Sequence, residues 1–188
     1  MDAIEIYFGA YGALLALAVG TLMSSVVRII RNHSTVRVGL LTPLLMLLIL
    51  LDLCSLINSA SRLMGLADLN LALVTVGMSA AGLYVIIAAM AAPDDFAAWP
   101  DLNAYYDKHK RVLIGGLLAG SLLGFEASSV LVKGFSETLH TRWMGLHVAL
   151  FLAFYLLMAA LLVVRNRIAN LVMLSVLNAI FLVVMLTF

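Results

Sequence analysis

Three residues with ionisable side chains lie inside long apolar stretches of the sequence: Asp52, Glu126 and His147. An ionisable group at membrane depth is costly, so it usually faces a bundle interior or a water-filled cavity, where it takes part in ion binding or proton transfer. A carboxylate is a costly way to obtain a mere packing contact. We therefore predict that Asp52 and Glu126 are functional, with His147 as the third candidate of the site.

Helix geometry places Asp52 and Glu126 at a common depth. Each residue follows the basic end of its apolar stretch by about 14 positions, which is about 21 Å along a helix. His147 lies about four positions, or about 6 Å, inside the opposite end of its own stretch. The three side chains are therefore predicted to meet in one cavity that opens to the non-cytoplasmic side of the membrane.

Other polar residues share a helix face with Asp52. At about 100° per residue, Ser55, Ser59 and Arg62 fall on the stripe that contains Asp52, and Asn58 lies beside it. A polar stripe that runs from mid-membrane to the surface is typical of the wall of a water-filled vestibule. We expect this stripe to line the predicted cavity.

Asn178, near the middle of the last apolar stretch, extends the predicted polar lining. The alternative is that such groups satisfy one another and hold the bundle together, because polar contacts between membrane helices contribute roughly 0.6–2 kcal/mol each. For the neutral polar residues the sequence favours this structural role. For Asp52 and Glu126 it favours function.

The mechanism predicted for the two acids is proton or cation binding. If the two carboxyl groups approach each other, repulsion and desolvation leave one proton shared between them near neutral pH. Such a pair can load and release a proton or bind a cation. The sequence therefore predicts a small membrane transporter or channel, with the ion or small-molecule substrate undefined.

Two other function classes stay open. An enzyme is less favoured, because the chain contains no HEXXH, GxSxG or glycine-rich phosphate motif and no catalytic residue is assigned. No metal site or cofactor is predicted either, since the single cysteine, Cys54, lies in an apolar stretch and offers no thiolate cluster. The second alternative is a non-catalytic subunit or interaction protein that docks other membrane chains through its helix faces.

Composition defines the elements that must position these residues. The chain has 188 residues, of which 64% are hydrophobic and 11% charged, and its mean hydropathy is +1.13. These values are far from those of soluble domains and indicate an integral membrane protein. A formal net charge of +1 argues against a nucleic-acid partner.

Six apolar stretches are long enough for membrane-spanning helices, which need roughly 20 residues each. The stretches are continuous rather than alternating, which excludes transmembrane β-strands. We predict an all-α fold in which residues 1–188 form a single six-helix bundle, with a short interfacial helix in the segment 93–111, between the third and fourth spans. The predicted spans are 6–27, 38–60, 69–92, 112–132, 143–164 and 168–187.

The basic residues predict the orientation of the chain. Most of the 11 Lys and Arg residues fall in the first, third and fifth connections between spans, so these connections are predicted to be cytoplasmic. Both termini are then non-cytoplasmic. Acidic residues precede the first span, unlike a secretory signal, so this span is expected to be retained. We expect the protein in a bacterial inner membrane or an equivalent bilayer.

Small residues recur at intervals of four in two spans, which favours close helix packing. The repeat of this stripe in the first and fourth spans suggests a 3+3 inverted repeat. The stripes could join the two helices within one chain, or join this chain to a second copy or another membrane protein. Their members are Gly12, Ala16, Gly20 and Ser24 in the first span, and Gly116, Gly120, Gly124 and Ser128 in the fourth.

Overall fold

The computed structural model describes residues 3–64, 70–134 and 146–187, and helices make up nearly all of them. No β-strand is found within these ranges, so the all-α prediction is confirmed. In a bilayer each helix satisfies its own backbone hydrogen bonds, which is why continuous apolar sequence adopts this form. The helices are α1 (Ala3–Arg31), α2 (Leu41–Met64), α3 (Leu71–Met90), α4 (Leu102–Lys133), α5 (Leu146–Val163) and α6 (Arg167–Thr187).

Five of the described helices are long and apolar enough to cross a membrane, namely α1, α2, α3, α4 and α6. The apolar part of α5 among the described residues, Ala149–Val163, is shorter than the 18 residues required of a spanning helix. These helices support an all-α membrane protein. That the chain crosses the bilayer six times stays a prediction.

The helices pack around α4, which contacts α2, α3 and α5. α1 packs mainly against α3, and α2 packs mainly against α6. The shared core consists of fully buried aliphatic side chains such as Leu22, Leu48 and Ile114, whereas outward-facing residues such as Leu17 and Leu156 are exposed, as on a lipid-facing surface. In a 3+3 repeat, the packing of α1 against α3 would be matched by packing of α4 against α6. α4 instead packs principally against α3, so the repeat also stays a prediction.

The segment 93–111, predicted to contain a short interfacial helix, is helical in its second half, but this part is not a separate helix. Residues 93–100 contain bends and no helix, and α4 begins at Leu102 and continues without a break into the fourth span. Asp101 caps this helix by accepting a hydrogen bond from Asn103 N at 2.9 Å. Leu102 and Tyr106 are buried in the bundle core, because the first turns of α4 already pack against other helices.

Ion pairs bring the three predicted cytoplasmic connections to one end of the bundle, which we call the basic end. Arg28, near the end of α1, pairs with Asp94 after α3 at 2.7 Å. Arg167, at the start of α6, pairs with Asp107 in α4, also at 2.7 Å. The alternating placement of the predicted loops therefore agrees with the packing of the helices.

The course of α4 changes at its centre. Residues Leu122–Ala127 form a π-helical segment, and Ser128 Oγ donates a hydrogen bond to the carbonyl oxygen of Leu123 at 3.0 Å. A π segment widens the helix by one residue per turn and changes the direction of the side chains that follow, and it often occurs at functional sites. Glu126 lies within this segment.

Candidate functional site

Asp52 lies at the meeting point of three helices. Its side chain is fully buried in α2, and Oδ2 accepts two hydrogen bonds, from Tyr84 Oη of α3 at 2.5 Å and from Ser121 Oγ of α4 at 2.7 Å. The two hydroxyl oxygens are 3.3 Å apart. The carboxyl group is therefore held in one orientation by side chains from two neighbouring helices.

The second oxygen of Asp52 has no such support. Oδ1 is buried and has no hydrogen-bond partner among the described residues. An unsatisfied buried polar atom costs about 1–3 kcal/mol, and more when the group is charged. A proton on the carboxyl group would lower this cost by removing the charge, and a water molecule or a bound cation would supply the missing partner.

Glu126 occupies a more open position. It projects from the π segment of α4, its side chain is half-buried, and Oε1 accepts a hydrogen bond from Tyr155 Oη of α5 at 3.2 Å. The position of this carboxyl group is therefore set by the wider turn of the π segment rather than by regular α-helical spacing.

One pocket of about 240 Å³ contains both acids in its lining. It lies between α2, α4, α5 and α6. Its other polar lining residues are Ser55 and Tyr155, and the remainder of the wall is aromatic and aliphatic, with Phe125, Leu150, Phe151, Phe154, Ile180, Phe181 and Val184. Leu150 is near the start of α5 and Val184 near the end of α6, so the pocket lies towards the end of the bundle opposite the basic end.

The predicted polar stripe of α2 only partly lines this pocket. Asp52 and Ser55 are in the wall, whereas Ser59, Asn58 and Arg62 are not. Asn58 and Arg62 are exposed on the surface of the helix. Only the buried part of the stripe, Asp52 and Ser55, therefore lines the pocket, over about one helical turn.

Asn178 has a structural position. It is 4% exposed, and Nδ2 donates hydrogen bonds to the carbonyl oxygens of Leu44 in α2, at 3.0 Å, and of Leu174 in its own helix, at 2.8 Å. It joins α6 to α2 and does not line the pocket. His147 falls in the first turn of α5, and its side chain lies outside the described part of the chain.

The glycines of α4 allow close packing beside the site. A Cβ atom added at Gly120 would lie 2.9 Å from Tyr84 Cε2, and one at Gly116 would lie 3.0 Å from Ile87 Cγ1. One at Gly124 would lie 2.5 Å from Leu56 Cδ1. Gly120 thus permits the approach of Tyr84 that places its hydroxyl group on Asp52.

The stripe of α1 has a different environment. A Cβ added at Gly12 or Gly20 would meet nothing within 4 Å, and both positions are exposed on the outside of the bundle. The two stripes therefore do not pack against each other within the described structure. Association of the α1 stripe with a second chain stays a prediction.

Sequence reasoning missed Tyr84, Ser121 and Tyr155, the hydroxyl residues that contact the two acids. Tyrosine is frequent in apolar helices, and α3 and α5 are apolar on all sides, so the pattern indicates no inward face. The adjacency of Ser121 to Gly120 was a usable signal, because a small residue marks the side of α4 that faces other helices.

The arrangement is suited to binding a proton or a cation between oxygen atoms in an apolar wall. Among the described residues, no group of three or more His, Cys, Asp or Glu side chains is placed to hold a metal ion. Comparison of the chain with models of protein families, with curated proteins and with solved structures gives no match.

Proposed function

We propose that this protein is a small multi-pass membrane transporter or channel in which Asp52 and Glu126 form a proton- or cation-binding site. The observation that carries the proposal is the pocket: both carboxyl groups line it, and Asp52 Oδ1 has no hydrogen-bond donor among the described residues. An acid with one oxygen held and the other unsatisfied can accept a proton or a cation at the second oxygen, and because Asp52 is fully buried a cation reaches it only when the pocket opens towards Oδ1.

We further propose that the site is entered from the non-cytoplasmic side and that both termini lie on that side, in a bacterial inner membrane or an equivalent bilayer. The pocket lies away from the basic end, and basic connections favour the cytoplasmic side. In this arrangement Glu126, which is half-buried, is reached first, and Asp52 is the deeper group. His147, at the start of α5, stays a proposed member of this entrance.

Proton flux into liposomes tests the proposal. Purified protein is reconstituted with a trapped pH-sensitive dye, a pH gradient is imposed, and potassium with valinomycin prevents build-up of a membrane potential. We expect faster decay of the gradient than in empty liposomes, and loss of this difference in both Asp52→Asn and Glu126→Gln.

The matched control is Asp95→Asn, which removes an exposed carboxylate from the connection before α4, outside the pocket. It should behave as the wild type. Wild-type flux equal to that of empty liposomes, or wild-type flux in both pocket variants, would contradict the proposal.

A second candidate is a non-catalytic subunit, which is favoured by the exposed small-residue stripe of α1. A flat helix face in lipid permits close approach of another helix. Stable co-purification of a membrane partner that is lost in Gly20→Leu, without any flux from the isolated protein, would favour this candidate over transport.

A further inference from the structure

We infer that the pocket selects a small organic cation, with one ammonium group on an apolar body, rather than a bare inorganic ion. This inference rests on the proposed function, because it names the class of substrate that the same two carboxylates bind. It is carried by what the wall of the pocket contains besides the acids.

Five of the eleven residues that line the pocket are aromatic. Phe154 makes edge-to-face contacts with Tyr155 and with Phe181, in each case with ring centroids 5.1 Å apart. Phe151 adds a third such contact, with Tyr155, at 4.7 Å. Edge-to-face packing fixes the rings, and the negative faces of aromatic rings attract cations within about 6 Å, with quaternary ammonium groups as the best-known case.

Oxygen atoms, in contrast, are few. The polar lining side chains are Asp52, Ser55, Glu126 and Tyr155, and Asp52 Oδ2 already accepts two hydrogen bonds. Hard inorganic cations such as Mg²⁺ and Ca²⁺ bind about six or more oxygen ligands, including retained water molecules, and a mainly apolar wall is a poor environment for such a hydrated ion. An ammonium group on a carbon body needs only a carboxylate for its charge and apolar surface for the rest.

The volume limits the size of the ligand. Pockets for drug-sized molecules measure about 300–1,000 Å³, whereas this one is about 240 Å³. A monoamine with a single ring or a few short alkyl groups is therefore the expected class. The ammonium group would face the half-buried Glu126, with the buried carboxyl group of Asp52 as a deeper negative charge, and the body of the ligand would lie against Phe151, Phe154 and Phe181.

Equilibrium binding of radiolabelled benzyltrimethylammonium to the full chain in lipid nanodiscs tests the inference. We expect saturable binding that is lost in Asp52→Asn. Neopentylbenzene, the neutral carbon analogue of the same shape, and sodium chloride at equal concentration should not compete.

Two ring substitutions distinguish cation recognition from simple apolar packing. Phe151→Leu should lower the affinity about two- to thirtyfold, the range expected for one cation–π contact, and Phe151→Tyr, which retains the ring, should restore it. Phe8→Leu removes a half-buried ring from α1, outside the pocket, and should leave the affinity unchanged. Size-exclusion chromatography of each variant confirms that it is folded.

Each result decides the inference. Absence of saturable binding, competition by the neutral analogue as strong as that by the unlabelled cation, or wild-type affinity in Phe151→Leu would overturn it. If proton flux nevertheless depends on Asp52 and Glu126, the proposed function stands and only the substrate class is wrong. If flux is independent of both acids as well, the proposed function also fails.

Discussion

The two carboxyl groups of the pocket have different surroundings. Asp52 is fully buried and is held by hydroxyl groups from two other helices, at 2.5 and 2.7 Å. Glu126 is half-buried, and Tyr155 donates to it at 3.2 Å. A hydrogen bond to a buried charged group contributes more than one near solvent or headgroups, because less water competes for the acceptor.

The two groups also belong to different kinds of helix. Asp52 is in a regular α-helix and faces the glycine side of α4, where Gly120 admits Tyr84. Glu126 is in the π segment, whose widened turn permits local rearrangement. In the proposed site, Asp52 with Tyr84 and Ser121 forms the preformed side of the pocket (the Asp52 wall), and Glu126 with Tyr155 forms the adjustable side (the Glu126 wall).

Gly120→Leu should have the largest effect on stability, because the new side chain displaces Tyr84, which donates a hydrogen bond to Asp52. A Cβ already lies 2.9 Å from the Tyr84 ring, and the remainder of a leucine side chain adds to this overlap. Overpacking of this kind costs about 1–3 kcal/mol or more. Thermal denaturation in detergent should show a clear fall in Tm.

Gly20→Leu is the matched control on the stripe of α1, where nothing lies within 4 Å. Its Tm in the monomeric state should equal that of the wild type. Equal loss of stability in both glycine variants would show that the α4 stripe has no special role in supporting the pocket.

Tyr84→Phe should have an intermediate effect. It removes the shorter of the two hydrogen bonds to Asp52 Oδ2 and keeps the ring in place, and such bonds to buried acids are worth about 1–3 kcal/mol. We expect a measurable fall in the free energy of unfolding in mixed-micelle denaturation, together with a change in proton flux. An unchanged stability and flux would refute the description of the Asp52 wall as preformed.

Tyr155→Phe should have a smaller effect on stability than Tyr84→Phe, because its hydrogen bond is longer and its acceptor is half-buried. We expect a loss of about 1 kcal/mol or less in the same assay. A larger loss than in Tyr84→Phe would reverse the assignment of the two walls.

Asn58→Ala should have the smallest effect. Asn58 is exposed and lies outside the pocket lining, although it is close to Asp52 in the sequence. Both Tm and proton flux should match the wild type. A loss of flux would extend the site along α2 beyond Ser55, as the polar stripe predicts.

The sequence allows prediction of those features that depend on distance along a helix, such as the depth of a residue in the bundle. Counting residues from the basic end placed Asp52 and Glu126 at a common depth, and the structure has both in the wall of one pocket. It did not predict their hydroxyl partners, because α3 and α5 are apolar on every face and carry no signal of the side that turns inward. Nor did regular helical spacing anticipate the π segment around Glu126.

The differences between the sequence-based predictions and the structure depend on the local surroundings of single residues. Leu102 and Tyr106 have the spacing of an interfacial helix, yet they are buried because α4 starts early and packs from its first turn. Asn178 has the polarity of a lining residue, yet both of its donated hydrogen bonds go to backbone carbonyl oxygens, including Leu44 across the helix interface. Composition identifies such groups as buried but does not identify their partners.

Infrared difference spectroscopy of the carboxyl C=O band reports protonation of Asp52 and Glu126 themselves, so it tests whether these two groups exchange a proton for a cation. The protein is compared at neutral pH before and after addition of benzyltrimethylammonium, with acid titration as a second perturbation. We expect a protonated-carboxyl band that is lost on addition of the cation or on raising the pH, and that is absent in Asp52→Asn. A carboxyl band that does not respond to cation or pH, or that responds identically in Asp52→Asn and Glu126→Gln, would contradict it.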